Sequence, residues 1–541
     1  TVGYSEPLTI EFLRQNKNLV LDTRYFSTDF KERLIAGMDN LDEQTDGLLI
    51  HSENFQALQL ITERYRRQID HIYIDPPYNA KSSEILYKNT FKHSSWISMI
   101  FDRLSQAKLL LKQTGSATIA IDENENLNLG KILEMIFPEY ERVCVSVIHN
   151  PGGIQGKNFS YTHEYAWFCY PSNGIYIGTI KRDDTGATPF RDWGGEESKR
   201  EAAANCFYPI IVNAEKEIIG IGDVLPDDVH PQSSIVDNGD GTFSIYPIDG
   251  NGVERKWRFA KDTVLGILDE LKCELVAGEW AIRRYKTDYR YKTVWTDGRY
   301  NANTQGSNLL NNIIGEKRFS FPKSLYTVQD SIAAIKKQSD VPIVIDFFAG
   351  SATTGHAILN LQRTGNGDRK YILVEMGEYF YTVTLPRMKK VIYSADWKNG
   401  KPQNRNTGVS HIMKYITLES YEDTLSNIEL DDDKHQLAMK LGDEYMIHYM
   451  FDYEAKESML SLDAFNMPFS YKLKIIENNE TKLKTVDLCE TFNYLIGLSV
   501  IRQSATTWFK VVKLTEEEWK REGLYEGAVR LERDNSGEYG F

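Results

Sequence analysis

Three short apolar runs stand out from an otherwise mixed pattern of hydrophobic and polar positions. The first is His71-Ile72-Tyr73-Ile74, which stops at Asp75-Pro76-Pro77-Tyr78. The second is Val341-Pro342-Ile343-Val344-Ile345, which stops at Asp346-Phe347-Phe348-Ala349-Gly350-Ser351-Ala352. The third is Tyr371-Ile372-Leu373-Val374, which stops at Glu375. Each is rich in β-branched or aromatic residues and ends in a polar or glycine-bearing turn, as a buried strand does. A helix over 353–362 fills the space between the second and third runs, and Gly365 and Gly367 end it. Strand, helix and strand in that order predict a parallel α/β sheet. After the first run, 96–112 has the spacing of an amphipathic helix and 116–121 that of a strand ending at Asp122.

The middle of the chain follows a different pattern. From about 174 to 278 turn signals are dense. Asp237-Asn238-Gly239-Asp240-Gly241 and Asp249-Gly250-Asn251-Gly252 bracket Thr242-Phe243-Ser244-Ile245-Tyr246, which is hairpin chemistry. The first cluster lacks the ligand spacing and closing glutamate of a calcium loop. The segment ends in Arg283-Arg284-Tyr285-Lys286-Thr287-Asp288-Tyr289-Arg290-Tyr291-Lys292, basic residues interleaved with tyrosines. Composition shifts again after Asp396, where Asn399-Gly400 and 404–408 resemble a linker. The expected division is 1–173 and 293–396 as two halves of one α/β domain, 174–292 as a β-rich insert, and 397–541 as an additional C-terminal α/β region.

Composition narrows the class. Of 541 residues, 41% are hydrophobic and 26% charged, ordinary for a globular chain with a sizeable core. No run of about 18 apolar residues suggests a membrane span, and the first residues lack the basic and apolar regions of a secretory signal. The five cysteines are scattered with no Cys-x-x-Cys pair, which argues against a disulfide framework or a zinc site and fits a reducing cytoplasm. The net charge of −14 is unfavourable for a polyanion binder, but about −8 of it falls from Asp396 onward. A local basic stripe elsewhere on the chain would still act.

Two motifs carry candidate chemistry. Asp75-Pro76-Pro77-Tyr78 ends a parallel strand, where α/β proteins bind ligands. Its residue types suit an amine whose lone pair is delocalised into a ring. Asp75 accepts one amine hydrogen and the Pro76 carbonyl the other, which favours a pyramidal, nucleophilic nitrogen. Pro76 and Pro77 stiffen the loop, and Tyr78 offers a face on which a flipped base can stack. The second motif spans Asp346, Phe348, Ala349, Gly350, Ser351, Thr353 and Thr354. It is a tight strand-to-helix turn, followed ~25 residues later by Glu375, whose carboxylate can bind ribose hydroxyls. It lacks the Gly-Lys-Ser/Thr of a triphosphate loop and the three glycines of a pyrophosphate site.

Together these motifs resemble the amino-methyltransferases of DNA. With the Asp-Pro-Pro-Tyr motif first and the cofactor motif later, the order is similar to the β group. Asn79 after the motif, the Phe-Ala-Gly-Ser-Ala-Thr-Thr wording, His163-Glu164-Tyr165 and Leu418-Glu419-Ser420-Tyr421-Glu422-Asp423 are similar to the modification subunits of type III restriction systems. Ala352 departs from a glycine common at that place. The resemblance implies a doubly wound, Rossmann-like class I methyltransferase sheet of seven strands, the last antiparallel. It implies S-adenosylmethionine as cofactor, S-adenosylhomocysteine as product, double-stranded DNA as substrate and no metal. It implies that Asn54, Asn308, Pro322 and Lys323 lie on the cofactor side. For Asn54 a helix cap before 55–65 is an equal reading, and His163 is read as structural.

The activity implied is methylation of adenine N6. A cytosine-N4 enzyme usually carries serine where Asp75 stands, and RNA or a glutamine side chain is a weaker alternative. The chain is expected to act in a bacterial cytoplasm, near the nucleoid, alone, as a homodimer or with a restriction subunit, and without a membrane. In the type III pattern the central insert reads DNA, which makes Arg283, Arg284, Lys286, Arg290 and Lys292 the candidate DNA contacts.

Overall fold

The computed structural model describes residues 9–79, 92–155, 158–181, 186–286, 288–420, 423, 471–477, 480–507 and 509–533. Tyr421 and Glu422 of the expected C-terminal signature lie outside them. Among the described residues no helix is long and apolar enough to cross a membrane.

The principal sheet has nine strands: β1 (Gly47–His51), β2 (Ile69–Ile74), β3 (Leu111–Ile121), β4 (Tyr140–Ile148), β5 (His163–Pro171), β6 (Val294–Trp295), β7 (Ile343–Asp346), β8 (Lys370–Glu375) and β9 (Met413–Thr417). Their order across the sheet is β6-β4-β5-β3-β2-β7-β8-β1-β9. All run parallel except β5, which is antiparallel to β3 and β4. Seven of these strands make the doubly wound sheet expected from the sequence. The antiparallel strand is not last in the chain, however, but fifth, and β6 and β9 extend the two edges. Because β9 pairs with β1 from Gly47↔Met413 to His51↔Thr417, the sheet continues past the boundary expected at 396.

Alternation along each strand feeds two layers of helices. Ile50, Ile72, Ile74, Ile345 and Val374 point to one face, against α1 (Asn54–Tyr65), α2 (Lys92–Lys108) and α3 (Asn126–Ile136). Leu49, Tyr73, Val344, Tyr371 and Leu373 point to the other, against α4 (Leu325–Ala334), α5 (Thr353–Arg363) and α6 (Thr384–Tyr393). Since both faces are covered, the strands are apolar without interruption, which is why the three runs are visible in the sequence. A further helix, α7 (Leu488–Leu495), packs on α1. Its Tyr494 ring lies 4.5 Å from the Arg64 guanidinium, and Lys414 bridges Asp42 and Glu490 at 3.3 and 2.6 Å. These contacts sit at the starts of β1 and β9, away from the strand ends that carry the motifs.

Residues Ile177–Tyr291 form a separate compact unit. Ile218–Ile221, Ile210–Asn213, Thr242–Ile245 and Ile235–Asp237 make one antiparallel sheet, in that order. Leu271–Val276, Glu279–Arg284 and Thr188–Pro189 make another. Phe190, Tyr208, Ile210 and Trp257 are buried at its core. The hairpin between Val276 and Glu279 turns on Ala277 and Gly278, both at positive φ (53° and 88°), as a two-residue primed turn requires.

The start of α5 explains the alanine that departs from the family pattern. Ala352 stands before the first helical residue with φ 63° and ψ 39°, and its methyl is fully buried. Left-handed geometry costs an L-residue ~1–2 kcal/mol, while a buried methyl contributes ~0.8 kcal/mol. Ala352→Gly should therefore unfold in urea within ~1 kcal/mol of the wild type. Ala352→Val, with a branched side chain at positive φ in a filled core, should lose at least ~2 kcal/mol. Equal losses in the two variants would contradict this account.

Candidate active site

Adjacent strands bring the two motifs together. β2 lies between β3 and β7, and the pairs Val344↔His71 and Ile345↔Ile72 set the ends of β2 and β7 side by side. The next pairs, Asp346↔Leu373 and His51↔Glu375, place the ends of β8 and β1 along the same edge. The helix after β2 covers one face and the helix after β7 the other, so this edge is the topological switch point where open α/β sheets bind ligands.

The Asp-Pro-Pro-Tyr turn is anchored from behind. Fully buried Trp96 of α2 donates its indole N–H to the Pro77 carbonyl at 2.7 Å. Asn79, at φ 58°, donates to the buried Glu125 at 2.6 Å. Among the described residues no donor reaches the Pro76 carbonyl, the acceptor that the amine chemistry calls for. Asp75 is half-buried, and Lys323 Nζ lies 3.4 Å from its Oδ1. The same ammonium donates to the Tyr78 hydroxyl and to Glu164. Burial raises the Asp75 carboxyl above its usual range, with the charge of Glu164 adding and that of Lys323 opposing. Burial works against the Lys323 ammonium, but Asp75 and Glu164 outweigh it and hold its pKa above the ordinary value.

The cofactor-type loop is built largely from its own polar groups. Asp346, at the end of β7, accepts from the Phe348 amide at 3.0 Å and the Thr354 hydroxyl at 2.5 Å, which ties strand to helix. Ser351 and Thr353 are buried, and Arg387 of α6 donates to each hydroxyl at 2.8 Å. Burial brings the Arg387 guanidinium down to about 9. These four motif positions therefore shape the turn from inside, and only Phe348 and Gly350 of the loop are partly exposed. Gly350 has φ 52°, and a Cβ there would lie 3.4 Å from the Phe319 ring. Its amide donates to Glu375 at 2.7 Å. Glu375 also accepts from the Gly377 amide at 2.7 Å and the Tyr379 hydroxyl at 2.9 Å. The Met376 amide bears on the same carboxylate, and the residue is 8% exposed. Burial raises the Glu375 pKa against these donors.

Of the four residues expected on the cofactor side, Asn54 bonds the cofactor-type loop and Lys323 bonds the other motif. The cap of α1 is Glu53, which accepts from the Phe55 and Gln56 amides. Asn54 is the first helical residue, and it donates to the Phe347 carbonyl at 3.3 Å, bracing the cofactor-type loop. Asn308 is exposed at the end of a π-turn, Asn303–Asn308. Gly306 of that turn packs so close to the Pro322 carbonyl that a Cβ would sit 2.3 Å from it. Pro322 is buried there, and Lys323 reaches the Asp-Pro-Pro-Tyr motif and not the glycine loop. The residue missed entirely is Glu164. It follows half-buried His163, which meets the Tyr165 hydroxyl at 3.2 Å. Strand alternation sends Glu164 to the opposite face, against Lys323 and Tyr78.

The basic stretch of the insert includes residues bonded within the same unit. Arg284 is paired with Glu270 at 2.6 Å and stacked on Phe259, and Arg283 donates to the Ala187 carbonyl. Both are half-buried and hold the hairpin together. Lys286 lies 5.1 Å from the Tyr289 ring centroid. Arg290 and Lys292 are exposed.

Asp346 gives the site a pH dependence. Burial pushes its carboxyl from an ordinary 3.8 up to about 7. A raised acid favours the fold when protonated, so this contribution is complete below about pH 4 and is lost as the pH rises towards 7. Urea midpoints should therefore fall less between pH 5 and 7.5 in Asp346→Asn than in the wild type. A larger fall in the variant would contradict the raised pKa.

Several known proteins are similar to this chain. The Type II methyltransferase M.KpnI of Klebsiella pneumoniae is 28% identical over 376 residues, covering 64% of this chain and 84% of that protein. The Type III restriction-modification enzyme EcoPI Mod subunit of Escherichia phage P1 is 23% identical over 392 residues, 62% of this chain but only 58% of the subunit. The chain thus matches less than two thirds of that subunit's length. A solved M1.HpyAVI–SAM complex covers 63% of this chain and 98% of its own at TM-score 0.30 and 11% identity, too loose to bear on the site. The profile of the N6/N4 DNA methylases, described as DNA methylase, matches residues 69–385, from β2 and the Asp-Pro-Pro-Tyr turn through the glycine loop to the start of α6, and the chain belongs to that family.

Proposed function

We propose that the chain transfers the methyl group of S-adenosylmethionine to N6 of an adenine flipped out of double-stranded DNA. The observation that carries this reading is Asp75. It is a carboxylate, not a serine, at the first place of the motif, beside the Pro76 carbonyl and one strand from the glycine loop. The loop fits the cofactor through a nucleoside hydroxyl at Glu375 and close approach at Gly350, with Phe348 and Phe319 beside it. Bound there, S-adenosylmethionine supplies an electrophilic methyl group. Asp75 and the Pro76 carbonyl accept the two amine hydrogens and turn the nitrogen lone pair outward. Tyr78 offers its ring to the base, at a stacking worth roughly 1–3 kcal/mol. The N–C bond forms as the S–C bond breaks, and the surplus amine proton leaves to water.

The same reading covers a modification subunit that acts beside a restriction partner, as the name of the EcoPI relative suggests, and a solitary or homodimeric enzyme of the cytoplasm and nucleoid. Methylation by the purified chain alone separates the two. Mass spectrometry of nucleosides from treated DNA should show N6-methyladenine and no N4-methylcytosine. Asp75→Ala should lower the methylation rate about a hundredfold, for a loss of ~3 kcal/mol. Near-normal turnover in that variant, or methylated cytosine as the product, would sink the assignment.

For DNA contact, the exposed Arg290 and Lys292, with half-buried Lys286 beside them, are the candidates in the basic stretch. Replacing these three with glutamine should weaken DNA binding. The slope of log affinity against log salt should flatten by ~0.9 for every phosphate that the wild type neutralises and the variant does not. Cofactor affinity should be unchanged. An unaltered slope would exclude the stretch as a DNA contact.

A further inference from the structure

Two carboxylates and one ammonium meet at the mouth of the Asp-Pro-Pro-Tyr turn, and the chemistry above uses only one of the three. Glu164 is buried, 6% exposed, on β5. Lys323 arrives from a segment that Gly306 pins at Pro322. Its ammonium donates to Glu164 and to the Tyr78 hydroxyl, and lies 3.4 Å from Asp75 Oδ1 and 4.4 Å from the Tyr78 ring centroid. The Tyr78 hydroxyl faces Glu164 at 3.4 Å. The ammonium is thus a hydrogen-bond donor standing beside Asp75, on the carboxylate that an acceptor amine must reach.

We propose that Glu164 and Lys323 are positioning residues for methyl transfer: Glu164 holds the Lys323 ammonium beside Asp75, where it keeps that carboxylate ionised until the acceptor amine takes over as its donor. This rests on the reading of Asp75 as the group that accepts from the amine. Burial raises the Asp75 carboxyl and the Lys323 charge opposes it, so losing the cation raises it further, and a protonated Asp75 has lost an acceptor site that the amine needs. Glu164 supplies what an isolated lysine lacks, a second anion that fixes the ammonium at the edge of the site. Tyr73 and Tyr78 on the same element, Asp346 from β7, Glu164 from β5 and Lys323 are the titratable groups that bear on Asp75. His149 bears on Glu164 and Lys323, and Asp122 bears on Lys323.

The two positioning residues carry opposite charge, so their removal has opposite signs. The test is the pH profile of kcat/KM for DNA methylation, which reports the ionisation of the free enzyme. Lys323→Met removes the cation, and the acid limb should move up by about one pH unit or more. Glu164→Gln removes the anion but keeps a side-chain oxygen that accepts from the ammonium, so the Lys323 charge stays in place and the limb should move down. Lys323→Arg keeps the charge and should restore the limb to near its wild-type place. Acid limbs that stay put in both variants, or that move the same way, overturn the proposal. So does a Lys323→Met enzyme that is folded but inactive at every pH, since a residue without which nothing proceeds is doing more than positioning. If the wild-type chain itself methylates no adenine, the reading of Asp75 has failed. Methylation by the wild type with unmoved limbs defeats only the role of the pair.

Discussion

The parallel pairing of β2 with β7 is the contact on which the site depends. Residues some 270 positions apart in the chain become neighbours through Val344↔His71 and Ile345↔Ile72. That pairing alone sets Asp75 one strand from Asp346. It also creates the reversal of helix direction that leaves a crevice at the strand ends. The polar details are arranged around this fixed distance. Trp96 secures the Pro77 carbonyl from one layer, and Arg387 secures Ser351 and Thr353 from the other. Both loops are therefore set before any ligand enters, as electrostatic catalysis requires.

The polar groups of the site divide into those that build it and those that face outward. Asp346, Ser351, Thr353 and Thr354 belong to the first kind, since their oxygens are spent on amides, hydroxyls and a buried guanidinium. The Pro76 carbonyl, which no donor reaches among the described residues, belongs to the second, and Asp75 and Tyr78 stand between the two, since Lys323 already reaches both. A motif in sequence does not distinguish the two kinds, because both need the same small polar residues at a turn. What separates them is whether a partner already lies within the fold.

Legibility follows burial and locality. The strands ending at Asp75, Asp346 and Glu375 are visible as unbroken apolar runs because helices cover them on both sides. β4 and β5 alternate more and sit near an edge, and β9 is a short run beyond an apparent linker, so their place in the sheet is not readable. The His163-Glu164-Tyr165 stretch draws attention to the histidine, whereas period-two geometry gives the interior to the residue beside it. Lys323 falls to the cofactor side by its neighbours in sequence, while its long side chain crosses to the other motif. Arg283 and Arg284 resemble a phosphate-binding pair, but the hairpin register Leu271↔Arg284 brings Glu270 alongside Arg284 and explains its partner. In each case the sequence hides a long-range partner.

The order of strands has a consequence for how the protein is made. β1 carries three of the most deeply buried side chains, Leu48, Leu49 and Ile50, yet its neighbours in the sheet are β8 and β9. Neither exists until residue 370 has been synthesised. At roughly 5–20 residues per second, an apolar strand with both edges unpaired waits about 15–65 s on the ribosome. β2 waits nearly as long for β7. The first third of the chain therefore cannot close its sheet during translation. Nascent chains stalled before β8 would present open, sticky edges to one another, and productive folding hinges on a late, long-range closure that chaperones are suited to protect.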